Sequence, residues 1–327
     1  MQSKHPASQR DGSLGRRTFI QAVAGVSTTA ALSSGSLTAG LFAGFGAEET
    51  AESITGELYK SLSDAQKKVI CLPFNHDLRN KINPNWHVTS PQIGEDFYSA
   101  AQRELVGRIV KAVSSEDGYA RLLKQMDEDS GGLDYYSAAI FGKPGEGKFE
   151  FELTGRHLTL RADGNSVDKA AFGGPIVYGH GEEEVEQNLF FYQTQQTNKV
   201  FDALSGDQRK TALLKSAPSE SAVQVQGQNG EFPGIRVGDL SDDTQELVAA
   251  SLMVLLAPYR AEDVEEVMQI LKESGGVSGL HMAFYRQGDI NSDKTWDIWR
   301  VEGPAFVWHF RGAPHVHAYV NIGHRKA

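Results

Sequence analysis

Cysteine is almost missing from this sequence: among 327 residues only Cys71 carries a thiol. No internal disulfide can form, so a folded body has to be held by its apolar core. Cys71 lies in the apolar run VICLPF and reads as a small buried hydrophobe rather than a thiolate nucleophile. Basic runs are absent beyond the first residues and the formal net charge is −10, which argues against a nucleic-acid partner. The weakly apolar stretch after Arg17 is interrupted by Ser and Thr too often to form a stable membrane span. Also missing are G-x-S-x-G, a Walker loop and H-E-x-x-H, and with them the commonest hydrolase classes and most nucleotide enzymes.

What is present begins with Arg16 and Arg17, followed by Phe19, Ile20 and a run rich in Ala, Gly, Ser and Thr. LFA and FGA then offer A-x-A-like cleavage sites near Ala43 or Ala47. A charged, then apolar, then small-residue order is that of an export signal, and paired arginines before so mild a stretch favour the twin-arginine route. The expectation is an export signal and linker over 1–47. A single α+β domain follows over 48–327, or two intimate lobes at 48–180 and 181–327. The twin-arginine export machinery would be a partner, and the destination periplasmic or extracellular.

Three stretches share a helix-start pattern: LSDAQKKV at 62, LSGDQRKTALL at 204 and LSDDTQELV at 240. In the first two a Ser is followed three places later by Gln, a capping box. The simplest account is three independently capped helices, not a duplication. Helices are expected at 52–70, 95–126, 185–214, 242–257 and 261–274, with Pro258 separating the last two. Alternation in KFEFELTGRHLTLRADG, 148–164, predicts a β-hairpin turning at Thr154-Gly155. Four aromatic and β-branched runs between 279 and 322 predict an antiparallel meander. Early helices and late strands make the class α+β.

The sharpest chemical signal is GAPHVHAYVNI, residues 312–322. Strand alternation places His315, His317 and Tyr319 on one face. A two-residue turn at Gly312-Ala313 would pair Phe310 with His315 and Trp308 with His317, sending His309 to the other face. A slip by one residue would reverse that. Pairing Val301 with Phe306 adds Trp299 and Asp297 to the histidine face and leaves Glu302 on the opposite one. A Thr154-Gly155 turn sets Glu152 across from His157. Two imidazoles at i and i+2, with a third donor, make an open-sided transition-metal site, able to acidify water or polarise an oxygen substrate. The alternative is that these are hydrogen-bonded strand histidines. His180, flanked by glycines, is a further candidate ligand.

GRHLTL, FGGPIVYGH, LSGDQR and WDIWRVEGPAFVWHFRGAPHVHAYVNI together resemble the bacterial family named domain of unknown function 3500. The resemblance covers about 55 to 323. Its shared Gly-x-His-Leu turn and closing His-x-His strand map onto His157 and onto His315 with His317. Many members carry a second histidine and an Asn where this chain has Arg156 and Pro314. The resemblance implies no reaction, but it joins His157 to His315 and His317 in one motif set.

The leading expectation is therefore an exported protein binding one transition metal, zinc, copper or iron, through His157, His315 and His317, with His180 as an additional ligand. Glu152, Asp297 or Glu302 would assist in hydrolysis or oxidation. Trp299, Trp308, Phe310 and Tyr319 would wall a pocket for a small-molecule substrate, unless they are sheet core. The rival is a non-catalytic ligand- or metal-binding protein with structural histidines.

Overall fold

In the computed structural model, residues 49–164, 166–290 and 293–324 are described; the export segment read over 1–47 lies outside them. Glu48–Ala327 forms one compact unit. Its class is α+β, with eight α-helices and one eleven-stranded sheet among the described residues.

Capping chemistry cuts the helices shorter than their apolar spacing suggests. The expected 52–70 helix is two, α1 (Ala51–Ser61) and α2 (Asp64–Ile70), because the Ser63 hydroxyl accepts the Gln66 N–H and starts a new helix. The 95–126 stretch divides into α3 (Ala100–Ala112) and α4 (Glu116–Ser130), capped by Ser99 and Ser115. The 185–214 stretch gives α5 (Phe191–Ala203) and α6 (Gly206–Ala212). α7 (Asp242–Leu256) and α8 (Ala261–Glu273) fall where expected, on either side of Pro258. Each local cap stabilises a break by about 1 kcal/mol, enough to decide between one helix and two.

The strands are β1 (Cys71–Leu72), β2 (Ser137–Gly142), β3 (Phe149–Gly155), β4 (Leu158–Ala162), β5 (Ile176–His180), β6 (Leu213–Leu214), β7 (Ile235–Arg236), β8 (His281–Tyr285), β9 (Ile298–Gly303), β10 (Phe306–Arg311) and β11 (Val316–Ile322). Along the sheet the order is β1-β2-β3-β4-β5-β11-β10-β9-β8-β6, with β7 also on β8. This order is a repeat. α1, α2, β1, α3, α4 and the antiparallel run β2–β5 recur as α5, α6, β6, α7, α8 and β8–β11. The edge strands β1 and β6 each pair parallel with the first long strand of their half. Caps recur at a spacing of 142 residues, from 63 to 205 and from 99 to 241. The halves join antiparallel at β5–β11 and again through reciprocal bonds, Ser115 N–H to the Pro258 carbonyl and Arg260 N–H to the Val113 carbonyl. The recurring LS motif thus belongs to a duplicated unit, not to three unrelated caps. Most other equivalent positions differ in residue type, so the repeat shows in the pairing rather than in the letters.

All the long helices lie on one face of the sheet. Trp299, Trp308, Phe310, Ala318 and Tyr178 point there and pack with α5, α7 and α8, while Leu153, Phe151 and Ile140 pack with α1, α3 and α4. The other face is covered by the connections after β1 and β6, whose Trp86, Val88 and Val223 supply small apolar clusters. Between those clusters the covered face holds many buried polar groups, among them Glu150, Glu152, Arg161, Arg300, Glu302 and His309.

Three expected registers differ from the structure in ways that matter. β10 pairs His317 with Arg311 and Val320 with Trp308, three places from the expected pairing. Residues 312–315 form the connection instead of a two-residue turn. An odd slip exchanges faces, so His309 and Tyr319 share the His317 face and Trp308 and Phe310 leave it. Against β9, Trp299 stands opposite Phe310 and Val301 opposite Trp308, a slip of two that keeps faces. The early hairpin turns at Arg156-His157, since Gly155 pairs with Leu158 and Glu152 with Arg161. Gly155 serves packing instead: a Cβ there would stand 2.3 Å from the Tyr136 ring.

Candidate metal centre

The β3–β4 turn delivers His157. Its φ of +55° lies in the left-handed region, which His tolerates better than branched residues do. Three bonds hold the turn: His157 N–H to the Pro84 carbonyl, and Tyr136 Oη (2.8 Å) and Gln125 Nε2 (3.1 Å) to the Arg156 carbonyl. The β10–β11 connection delivers His315, and β11 itself His317. Between β4 and β11 runs β5, where Gly179 stands opposite His317. A Cβ on Gly179 would lie 2.2 Å from the Val316 carbonyl and 3.3 Å from the His157 Cβ. Glycine here removes the side chain that would otherwise separate the rings.

The three rings gather with centroids 4.8 to 5.1 Å apart. One nitrogen from each of His157, His315 and His317 can be chosen so that all lie within 4.8 Å of one another. His315 Nε2 and His317 Nε2 are 3.1 Å apart. Two imidazole nitrogens on one tetrahedral ion at about 2.0–2.1 Å would be about 3.3 Å apart, so that pair already has a chelating spacing.

Two carboxylates, neither singled out by sequence, aim the rings. His157 Nδ1 meets Asp129 Oδ2 at 2.8 Å, and His317 Nδ1 meets Glu220 Oε2 at 3.0 Å. With Nδ1 donating, each ring carries its lone pair on Nε2, the tautomer that a metal needs; on His317 that lone pair is within hydrogen-bond reach of His315 Nε2. Asp129, near the end of α4, also accepts from Gln125 Nε2 (2.7 Å) and the Gly181 N–H (2.8 Å). Glu220, from the connection after β6, also holds Arg311 at 2.8 Å. Burial raises both carboxyls, but the bonds from His157 and His317 and their neighbours outweigh it and leave both below the ordinary range. Burial, with His317, Arg311 and His157 nearby, pushes His315 down to about 4. His317 is lowered as well, first by burial. Neutral imidazole is the ligating form.

Other expected site residues stand elsewhere. His180 points to the opposite side of β5 from Gly179; its Nε2 is 2.9 Å from Glu128 and its Nδ1 accepts the Leu189 N–H. Glu152 is enclosed with Arg161 (2.7 Å) and Glu150, burial raising it to about 8. Asp297 precedes β9 and accepts the Ile290 N–H at 2.9 Å. Glu302 does share the His317 face, contrary to expectation, but is tied to Arg300 (2.6 Å) and Gln226 (2.9 Å). Trp299, Trp308 and Phe310 are helix-side core, Trp299 stacked on Phe310 at 4.7 Å. Tyr319 is buried against Val223 and Val307. None of the four walls an open pocket at the triad, because the register puts three behind the sheet and roofs the fourth.

Residues 46–322 match the family described as Protein of unknown function (DUF3500). The chain belongs to this family. No curated protein and no solved structure matches it. The sequence resemblance to DUF3500 therefore holds, and the imidazole cluster of this DUF3500 chain falls within the matched residues. No helix among the described residues is long and apolar enough to cross a membrane.

Proposed function

We propose that His157, His315 and His317 bind one transition-metal ion and that the protein is a metal-dependent hydrolase of the exported compartment. The reading rests on one observation: two of three rings clustered with a nitrogen of each within 4.8 Å are held at Nδ1 by carboxylates, which leaves Nε2 as their ligating atom. Outer carboxylates of this kind are the usual supports of histidine metal ligands. Three neutral imidazoles suit zinc, copper or iron, and leave a position open for water or substrate. Bound there, the ion would supply Lewis acidity. The chain's own part is orientation, through Asp129 on His157 and Glu220 on His317, and retention of the neutral ligand form at His315.

Hydrolysis is the simpler assignment, because it needs only the Lewis acidity of the ion and a water molecule, whereas oxidation needs an electron acceptor or donor as well. Elemental analysis of protein purified without chelator tests the first half of the reading: about one ion per chain is expected, falling below a tenth in His315→Ala with His317→Ala. No stoichiometric ion under any loading condition would end it. Hydrolysis of a panel of ester, amide and phosphoester reporters, lost on chelation and restored by zinc, tests the second half. A loaded centre without exchangeable water would instead indicate metal storage.

A further inference from the structure

Beside the triad, on the same covered face of the sheet, lies a second group of side chains that the metal reading does not use. Arg300 on β9 stands opposite His309 on β10. Arg311 is two places further along β10, opposite His317. Tyr285 closes β8 in the row of Ile298 and Arg311. Directly paired residues share a face, so all four project to the same side. The Tyr285 and His309 ring centroids are 6.5 Å apart. Tyr285 and His309 are each 1% exposed and Arg300 is 4% exposed.

Each of the four has a polar atom that no protein group meets: Tyr285 Oη, His309 Nδ1, Arg300 Nη1 and Arg311 Nη2. Guanidinium nitrogens can only donate, and the phenol and imidazole can do so. Buried donors in folded proteins nearly always have acceptors. Both guanidiniums already hold carboxylates, Arg300 with Glu302 at 2.6 Å and Arg311 with Glu220 at 2.8 Å. Arg300 Nη2 also reaches the Ala222 carbonyl at 2.7 Å. The unmet groups are those that these acceptors do not reach. The rest of the wall is small and apolar: Ala283 lies beside Arg300, and Leu214 and Ala217 pack over Ala283, Tyr285 and Ile298.

We propose that Arg300, His309, Arg311 and Tyr285 together bind one small inorganic anion, a halide or a compact oxyanion. Four donors on one buried face without acceptors select an anion, and the roofed setting selects a compact one over an organic substrate. The two arginines balance Glu302 and Glu220, so a divalent ion in the triad would leave this corner with an excess of about two positive charges, which an anion offsets. Glu220 touches both Arg311 and His317 and links the two sites. Linkage of that kind is reciprocal. The anion site uses none of the triad's atoms, so it stands or falls separately from the metal.

The test uses the full chain, chelator-treated, in sodium gluconate at constant ionic strength. Chloride, bromide and phosphate are exchanged in separately while melting temperature is followed. A saturable rise with at least one of them is expected, and whichever saturates at the lower concentration decides between halide and oxyanion. Bromide-soaked crystals should show an anomalous peak between Arg300 and Tyr285. Arg300→Gln breaks a buried ion pair and can unfold the chain, so Tyr285→Phe, which deletes one hydroxyl, is the deciding variant; it should bind about tenfold more weakly. No saturable effect, an equal effect in Tyr285→Phe, or only ordered waters at the four atoms would overturn the proposal. Anion binding by a protein that takes up no metal would sink the metal reading alone.

Discussion

At the residue scale, the roles assigned to Asp129 and Glu220 separate from simple packing. Asp129→Asn and Glu220→Gln keep shape but release the ring tautomers, and each should weaken zinc binding about 10- to 100-fold, measured by competition with a chromophoric chelator. Glu152→Gln and His180→Gln, which touch neither ring nor support, should leave that affinity unchanged. His309 yields a pH prediction. Its burial, with Arg300 beside it, lowers it from 6.5 to about 4, so between those values the unfolded chain takes up a proton that the folded chain refuses. Stability should therefore fall as pH drops from 6.5 toward 4, by about 1 kcal/mol per pH unit from this group, and the slope should lessen in His309→Gln. Urea unfolding of metal-free protein across that range measures both. His157, His315 and His317 were legible as candidates because their residue types are chemically marked. Asp129 and Glu220 were not, since an acid in MDEDS or KSAPSE looks like any solvated carboxylate until the fold brings it to an imidazole.

At the element scale, the site depends on strand β5 carrying no side chain at one position. Gly179→Ala sets a methyl 2.2 Å from the Val316 carbonyl, which must part β5 from β11 or displace His157. A loss of about 2–4 kcal/mol is expected, together with loss of metal binding, by chemical denaturation and elemental analysis. Gly155→Ala, crowding the Tyr136 ring instead, should cost comparable stability and disturb only the His157 turn. The capping boxes at Ser63 and Ser205 are legible in the sequence, yet the apolar period runs on through both, so the expected helices 52–70 and 185–214 span breaks that the structure makes there. Ser99, which forms the same box with Gln102, and Ser115 likewise break the 95–126 stretch against its apolar period. Strand existence was readable from alternation for the late meander. Strand register was not, because Gly312-Ala313 satisfies the local rules of a tight turn while the structure uses residues 312–315 instead.

At the scale of the whole molecule, the centre spans the two halves of the repeat. His157 and Asp129 come from the first half, and His315, His317 and Glu220 from the second. Residues 49–180 and 181–324 made as separate chains would each expose a central strand edge, β5 or β11, a ready site for mispairing. Co-expressed, they should associate and regain one metal per pair, while neither half alone should bind with comparable affinity; size exclusion with elemental analysis decides this. Metal at a hundred times its dissociation constant should stabilise the intact protein by about 2.7 kcal/mol and the His317→Ala variant not at all. The duplication is not legible in the sequence because what is repeated is hydrogen-bond topology and capping, which many side chains support equally.

Composition, capping residues and strand alternation by themselves determined the α+β class, most helix starts, the closing meander, the three imidazoles worth following and the family. These are local properties, set by a residue and its neighbours within one turn or one strand. Tertiary structure decided which face each imidazole takes, which carboxylates hold it, and which aromatics are core. Those follow from register and from contacts between distant segments, and a slip of an odd number of residues, invisible locally, exchanges the two faces of a strand.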